Sequence, residues 1–127
     1  MERTKKKLIG CQLISIDDEH IVLKSKDGEL VTLFIVEDEG DCCGYTEVTT
    51  RLLVDELDAK DNPIITSVEC IDEDCGYHAT CKITLFGLNK PMAEIEATAG
   101  SGSGWMYGAC VKLLCKKMNI KCDIVCW

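Results

Sequence analysis

The sequence predicts a mainly β fold of the α+β type, with an antiparallel sheet or a partly open, barrel-like arrangement and one short helix. Apolar and polar residues alternate with period two along most of the chain, and short polar turns interrupt this alternation. Asp27-Gly28 and the acidic turn around Asp74 each separate two alternating segments, as in β-hairpins. With 127 residues, 46% of them apolar, the chain is long enough to bury one core, so a single domain over residues 1–127 is expected.

The first half of the chain is predicted to contain four strands and the helix. The strands are expected over residues 11–16, 20–26, 29–36 and 45–50. Asp27-Gly28 predicts a two-residue type I′ turn, because Asp-Gly tolerates the positive φ that both positions require. Over residues 51–59 apolar residues recur at roughly helical spacing among charges, which indicates a helix that Asn62-Pro63 would end.

The second half is predicted to contain further strands around one ambiguous segment. The clear strands are expected over residues 64–71, 78–86, 92–98 and 120–126. Between residues 107 and 118, helical spacing groups Val111 with Leu114, whereas strand spacing groups Val111 with Leu113 and Cys115. We expect a strand, because the segment leads into a turn at Met118-Asn119 and then into the final strand.

The charge distribution argues against general nucleic-acid binding. The net charge is -8, from 22 acidic and 14 basic residues, and only Arg3 and Arg51 carry guanidinium groups. A general nucleic-acid binder needs clustered Lys and Arg to neutralise phosphates. Residues 1–74 hold 19 acids and 8 bases, a net charge of -11, whereas residues 75–127 hold 3 acids and 6 bases, a net charge of +3. The acidic runs are expected to lie in solvated turns.

The N-terminal segment does not have the pattern of a targeting signal. Lys5-Lys6-Lys7 is followed only by Leu8-Ile9 before Gly10, whereas a secretory signal needs about 7 to 15 apolar residues. Nowhere does an apolar run approach the roughly 20 residues that span a bilayer. A soluble, intracellular protein without membrane contact is therefore expected.

The 10 cysteines of a chain without an export signal are expected to be mostly buried and reduced. Five of them follow the alternation of apolar strand residues, namely Cys11, Cys70, Cys81, Cys122 and Cys126. Four weak candidates for metal ligands lie close together in sequence, namely Cys70, Cys75, His78 and Cys81. Because Cys-x-x-Cys spacing does not occur, and because buried cysteine needs no metal, no metal or other cofactor is expected.

A break between strands is predicted at Asp41, Cys42, Cys43 and Gly44. Adjacent side chains on an extended backbone point to opposite faces, so one thiol can enter the core while the other faces away. Asp41 can accept a hydrogen bond from a backbone amide two residues on, which favours a tight turn. A structural role is expected, with metal binding and redox chemistry as the alternatives.

The best candidate binding site is a segment rich in glycine, serine and aromatic residues. The predicted ligand-binding residues are Ser101, Gly102, Ser103, Gly104, Trp105, Tyr107 and Lys112. Glycines allow the backbone to approach an anion closely, and the two aromatic rings offer flat faces for a base. Lys116, Lys117 and Lys121 add positive charge shortly afterwards. The alternative is a surface loop whose aromatic side chains pack on the sheet.

Several of these motifs together resemble a family of small tailed-phage and prophage proteins. They are Leu8-Ile9-Gly10 at a strand start, the Asp27-Gly28 hairpin, the Gly40-Asp41-Cys42-Cys43-Gly44 break and the segment 101–108. The resemblance covers nearly the whole chain, and the Asp-Cys-Cys triplet is its most specific motif. Because the family carries no agreed activity, the resemblance implies a phage-encoded, β-rich protein in the cytoplasm of the host cell and implies no catalytic residues.

The sequence provides little for catalysis. His20 and His78 are the only bases for neutral pH, and neither belongs to a histidine and carboxylate cluster. We therefore expect a phage accessory protein, with a counter-defence role, that sequesters a small anionic, nucleotide-like ligand without acting as an enzyme.

Two other functions remain open. The first is an acidic inhibitor that occupies a basic nucleic-acid site on a host nuclease or CRISPR effector, which requires the acids to converge on one face. The second is a small zinc- or thiol-based protein. For each of these functions, exposed strand edges favour a homo-oligomer.

Overall fold

The computed structural model describes residues 1–40, 44–55, 63–101 and 108–127. Within these ranges the chain forms helix α1 (Glu2–Leu8) and nine strands, which confirms the mainly β prediction. The strands are β1 (Gln12–Ile16), β2 (His20–Lys24), β3 (Leu30–Asp38), β4 (Gly44–Leu52), β5 (Ser67–Asp74), β6 (His78–Gly87), β7 (Lys90–Ser101), β8 (Cys110–Cys115) and β9 (Ile120–Cys126).

The strands form two antiparallel sheets that share one apolar core. Sheet A has the order β1-β2-β3-β8-β9, and sheet B has the order β4-β7-β6-β5, so the described strands do not close into a barrel. The inner faces of both sheets contribute to the core, for example Leu33 and Leu113 from sheet A and Ile83 and Ile95 from sheet B. Among the described residues, the opposite face of each sheet is the more exposed one, and this is where a binding surface can form.

The strand interpretation of residues 107–118 is confirmed from Cys110 onward. In β8 the side chains alternate, with Val111, Leu113 and Cys115 buried and the residues between them partly exposed. The segment pairs with β3 on one side and with β9 on the other. A helix could not form hydrogen bonds with both of these strands. Pairing with β3 and β9 therefore decides between the helix and the strand, which the apolar spacing alone did not.

The β2–β3 hairpin is confirmed, but its turn differs from the predicted two-residue type I′ turn. The Ser25 N–H donates to the Glu29 carbonyl at 2.7 Å, which leaves three residues in the loop. Only Gly28 in this loop has positive φ, at 87°, whereas a type I′ turn also requires positive φ at Asp27. A three-residue loop with glycine at the left-handed position fits the same strand twist and needs positive φ at one residue instead of two.

The prediction of a helix over residues 51–59 is wrong for residues 51–55. Arg51 and Leu52 are the last residues of β4, where they pair with Glu94 and Ala93 of β7. Pairing with the long strand β7 outweighs the helical spacing of the leucines. Residues 53–55 are not helical either, and residues 56–59 lie outside the described part of the chain.

The helix of the described structure is α1, close to the N-terminus. Its first turn carries Glu2 and its last turn carries Lys5, Lys6 and Lys7, an order that complements the helix dipole. The buried residues Thr4 and Leu8 are four positions apart, on one face that packs on the core. No helix among the described residues is long and apolar enough to cross a membrane.

The prediction that Cys126 is buried and reduced is wrong. Cys126 is exposed at the end of β9 and forms a disulfide with its register partner Cys110 in β8, with the two Cα atoms 4.1 Å apart. The bulge in this pairing turns Cys126 to the outer face of sheet A. Of the other predicted core thiols, those of Cys11, Cys81 and Cys122 are buried, whereas Cys70 is only half-buried.

Candidate functional site

The two motifs that the sequence analysis singled out meet at their described ends. Gly44 starts β4 and is the register partner of Ser101 at the end of β7, and Ser101 is buried. A side chain at Gly44 would overlap the Glu39 carbonyl group, so the close approach of the chain requires glycine there. The remaining predicted residues of these motifs, Asp41, Cys42, Cys43, Gly102, Ser103, Gly104, Trp105 and Tyr107, lie outside the described ranges.

A groove of about 520 Å³ lies on the outer face of sheet A, where β3 and β8 are neighbours. We call it the outer groove. Its lining residues are Leu30, Val31, Thr32, Phe34, Val36, Leu114, Cys115, Lys116 and Lys117. The volume is within the range of about 300–1,000 Å³ that is typical of small-molecule sites.

Strand geometry explains why apolar side chains line the outer groove. Leu30, Phe34 and Val36 are separated by even numbers of residues, so they project from the same face of β3. Leu114 of β8 is the register partner of Phe34 and continues the apolar surface onto the next strand. Leu30 is 62% exposed and Phe34 is 48% exposed, which is unusual for large apolar side chains clustered on one face.

The Phe34 ring is supported from one side. The His20 ring lies edge-on to it, with ring centroids 5.3 Å apart and an interplanar angle of 70°. Asp17 Oδ1 lies 3.3 Å from His20 Nδ1 and also accepts the His20 backbone N–H at 2.7 Å. Backbone N–H groups of Glu19 and His20 lower the pKa of Asp17, which keeps this carboxylate charged. The Phe34 ring thus packs beside an imidazole that also contacts Asp17.

Lysines border the apolar surface of the outer groove. Lys116 and Lys117 lie in the turn between β8 and β9 and line one end of the groove. The predicted binding residue Lys112 is half-exposed on β8, where it pairs with Val36, so it stands beside the groove residues. An apolar floor with ammonium groups at its border can hold a flat ring and an attached anion.

The candidate metal ligands are not brought together as one site. Cys70 and Cys81 lie on the inner side of the β5–β6 pair, whereas Cys75 is exposed in the connecting turn. Burial raises the pKa of Cys81 to about 12, so this thiol is protonated near neutral pH in the folded protein. Over the described ranges, no group of three or more potential ligands is close enough to hold a metal ion.

The acidic residues occupy several separate places. Asp17, Asp38 and Asp74 each accept a hydrogen bond from the backbone N–H two residues later, at 2.8, 3.0 and 3.0 Å. Asp18 accepts the N–H and the hydroxyl of Thr50 at 2.9 and 2.7 Å. Asp17 lies in the turn between β1 and β2 of sheet A and Asp38 ends β3 of the same sheet, whereas Asp74 ends β5, an edge strand of sheet B. Asp17, Asp38 and Asp74 thus stabilise turns, and Asp18 ties the β1–β2 turn to β4, so these four carboxylates make structural contacts at separate places.

Sequence reasoning identified Lys112, Lys116 and Lys117 but missed the apolar side of the outer groove. The sequence signal was the presence of Leu30, Phe34 and other large apolar residues at the positions of β3 that alternate with its core residues. That signal becomes a site only through the pairing of β3 with β8, two strands that are distant in sequence.

The comparisons with known proteins yield one match. The family model described as a domain of unknown function, DUF7448, matches residues 5–113, which is most of the chain. No curated protein matches the chain, and no solved structure matches it. The chain therefore belongs to the DUF7448 family.

Proposed function

We propose that the protein binds and sequesters a small anionic ligand with a flat ring, of nucleotide-like chemistry, in the outer groove. The ring lies against Phe34 and Leu114, and the negative charge lies toward Lys116 and Lys117. The ligand is held without chemical change.

The observation that carries this proposal is the concentration of exposed apolar surface and lysines on one face of an acidic protein. The net charge of the chain is -8, yet the charged side chains that line the outer groove are Lys116 and Lys117. An anion is repelled by most of the surface and attracted to this face. A purely apolar partner would leave the lysines unused, whereas a ring with an attached phosphate uses both parts of the groove.

The proposed biological setting is that of a phage accessory protein that removes a nucleotide-derived signal of host defence. It rests on the resemblance to small phage and prophage proteins. A sequestering protein needs a pocket of suitable shape and charge and needs no catalytic group, which agrees with the scarcity of bases in the sequence.

Calorimetric titration of the wild-type protein with adenosine 5′-monophosphate tests the proposal. Stacking on an aromatic side chain is worth about 1–3 kcal/mol, so Phe34→Ala should weaken binding by roughly tenfold or more. The matched control is Tyr77→Ala, because Tyr77 is 67% exposed in the β5–β6 turn and does not line the outer groove. The control variant should bind like the wild type.

Two results would contradict the proposal. One is the absence of binding to any nucleoside monophosphate at millimolar concentration. The other is an equal loss of affinity in Phe34→Ala and Tyr77→Ala, which would mean that the outer groove has no special part in binding.

A further inference from the structure

A second pocket, of about 240 Å³, adjoins the outer groove at one end of sheet A. It is formed where three segments meet: the end of α1, the β2–β3 loop and the β8–β9 turn. We call it the turn pocket. Val31 and Lys117 line both the turn pocket and the outer groove, so the two spaces are neighbours that meet at these residues.

Each of the three segments contributes one lysine to the turn pocket, namely Lys7, Lys26 and Lys117. Lys7 Nζ donates to the Asn119 carbonyl at 2.6 Å, which ties α1 to the β8–β9 turn and leaves two of its three donors available. The stem of Lys26 lies over Gly10, where a Cβ would come within 2.5 Å of Lys26 Cε. The fold therefore positions the Lys7 ammonium group through a hydrogen bond and the Lys26 stem through its packing over Gly10.

The floor of the turn pocket is ordered as well. Cys11 is 1% exposed, and its thiol donates to the Lys7 carbonyl at 3.4 Å. Gly10 has φ of 93° and donates its N–H to the Ile65 carbonyl at 2.8 Å, which fixes the backbone beneath Lys26. Only glycine adopts this φ without strain and leaves room for the Lys26 stem. The shape of the turn pocket therefore depends on glycine at position 10.

The net charge of the residues that line the turn pocket indicates how much negative charge a bound ligand can carry. Its three lysines face two carboxylates, those of Asp27 and Glu29 in the hairpin loop, so its net charge is +1. Lys116 of the outer groove brings the net charge of the combined lining to +2. This charge matches a single phosphate monoester, which carries about -1.5 to -2 at neutral pH, better than it matches a long polyanion.

We propose that the turn pocket is the phosphate subsite of the outer groove, and that the ligand class is a nucleoside monophosphate whose base lies on Phe34. This inference rests on the proposed function. A strand rises about 3.3 Å per residue, so Val31 and Phe34 are about 10 Å apart along β3, which is about the length of one nucleotide. Ser25 and the two loop carboxylates offer acceptors for the sugar hydroxyls.

The test compares three probes by calorimetry: adenosine 5′-monophosphate, adenosine and inorganic phosphate. Lys26→Met keeps the stem over Gly10 and removes the charge, and Lys117→Met does the same at the junction of the two spaces. Each variant should weaken monophosphate binding by about tenfold, because a charge-assisted hydrogen bond is lost, and should leave adenosine binding unchanged. The matched control is Lys90→Met at the start of β7 in sheet B, which should not change binding of any probe.

The outcomes separate this inference from the proposed function. If Phe34→Ala weakens monophosphate binding while Lys26→Met and Lys117→Met do not, the outer groove binds the ligand and the phosphate subsite is refuted. If the lysine variants lose binding of both phosphate and monophosphate while Phe34→Ala has no effect, the anion subsite stands and the proposed ring site fails. If the wild type binds neither adenosine nor its monophosphate, both proposals are overturned.

Discussion

Glu94 provides the most informative test of how sheet B is held together. Its side chain projects from the outer face of β7 but is only 7% exposed, because two long cations cover it. Glu94 Oε2 lies 3.4 Å from Arg51 Nη2 and 3.6 Å from Lys82 Nζ. The Arg51 and Lys82 side chains remain 62% and 46% exposed, so they stay hydrated when the carboxylate loses its charge.

The loss of stability expected for Glu94→Gln follows from the difference between the buried carboxylate and its two hydrated partners. Breaking a fully buried ion pair costs about 3–5 kcal/mol because a buried charge is left unpaired, whereas exposed pairs contribute about 0–1 kcal/mol. Here one partner is buried and the charges left behind are hydrated, so we expect about 1–2 kcal/mol. The entropy of unfolding for a chain of this length is about 0.27 kcal/mol/K, so Tm should fall by about 4–7 °C.

Differential scanning calorimetry of Glu94→Gln beside the matched variant Glu96→Gln measures this effect. Glu96 is on the same strand and the same face but is exposed, so its substitution should change Tm by less than about 2 °C. Equal Tm changes in the two variants would refute the argument that coverage by Arg51 and Lys82 makes the Glu94 charge important.

Four further predictions concern the core and the thiols. Ile95→Ala removes a side chain that is 1% exposed and should lower the free energy of unfolding by about 2–5 kcal/mol in urea titration, and a loss below 1 kcal/mol would contradict the shared core. Maleimide should modify exposed Cys75 quickly and Cys81 slowly, as mass spectrometry of peptides would reveal. Because burial raises the pKa of Cys81 from 9.0 to about 12, folded protein holds this proton more tightly than unfolded protein, and stability should fall as pH rises between these values. Reduction of the disulfide between Cys110 and Cys126, which closes a separation of 16 residues, should lower stability by about 3 kcal/mol in denaturant titration, and an unchanged midpoint would contradict its contribution.

The strands could be predicted because their periodicity is local. In β8, for example, Val111, Leu113 and Cys115 alternate with partly exposed residues. These three side chains are buried in the core, as the alternation predicts. The turn at Asp27-Gly28 was located correctly but not its type, because the loop length depends on which strand residues pair. The start of the predicted helix failed at Arg51, where pairing with β7 overrides local spacing.

The candidate site could be predicted only in part, because it depends on pairing between distant segments. Lys116 and Lys117 were recognisable as a positive region, but nothing local indicates that Phe34 lies beside Leu114. The disulfide likewise joins residues whose opposition depends on the register of β8 with β9 and on the bulge between Val111 and Lys112. The apolar periodicity of a strand shows which of its residues share a face. A site that spans two strands also depends on which strands are neighbours in the sheet.

Amide chemical-shift mapping of the ¹⁵N-labelled wild-type protein with adenosine 5′-monophosphate tests the central claim most directly, because it locates binding without any substitution. The account predicts that the largest saturable shifts fall on β3 around Phe34, on β8 around Leu114 and on the turn at Lys116 and Lys117. Saturable shifts confined to sheet B or to residues 102–107, or no saturable shifts at all, would contradict binding in the outer groove.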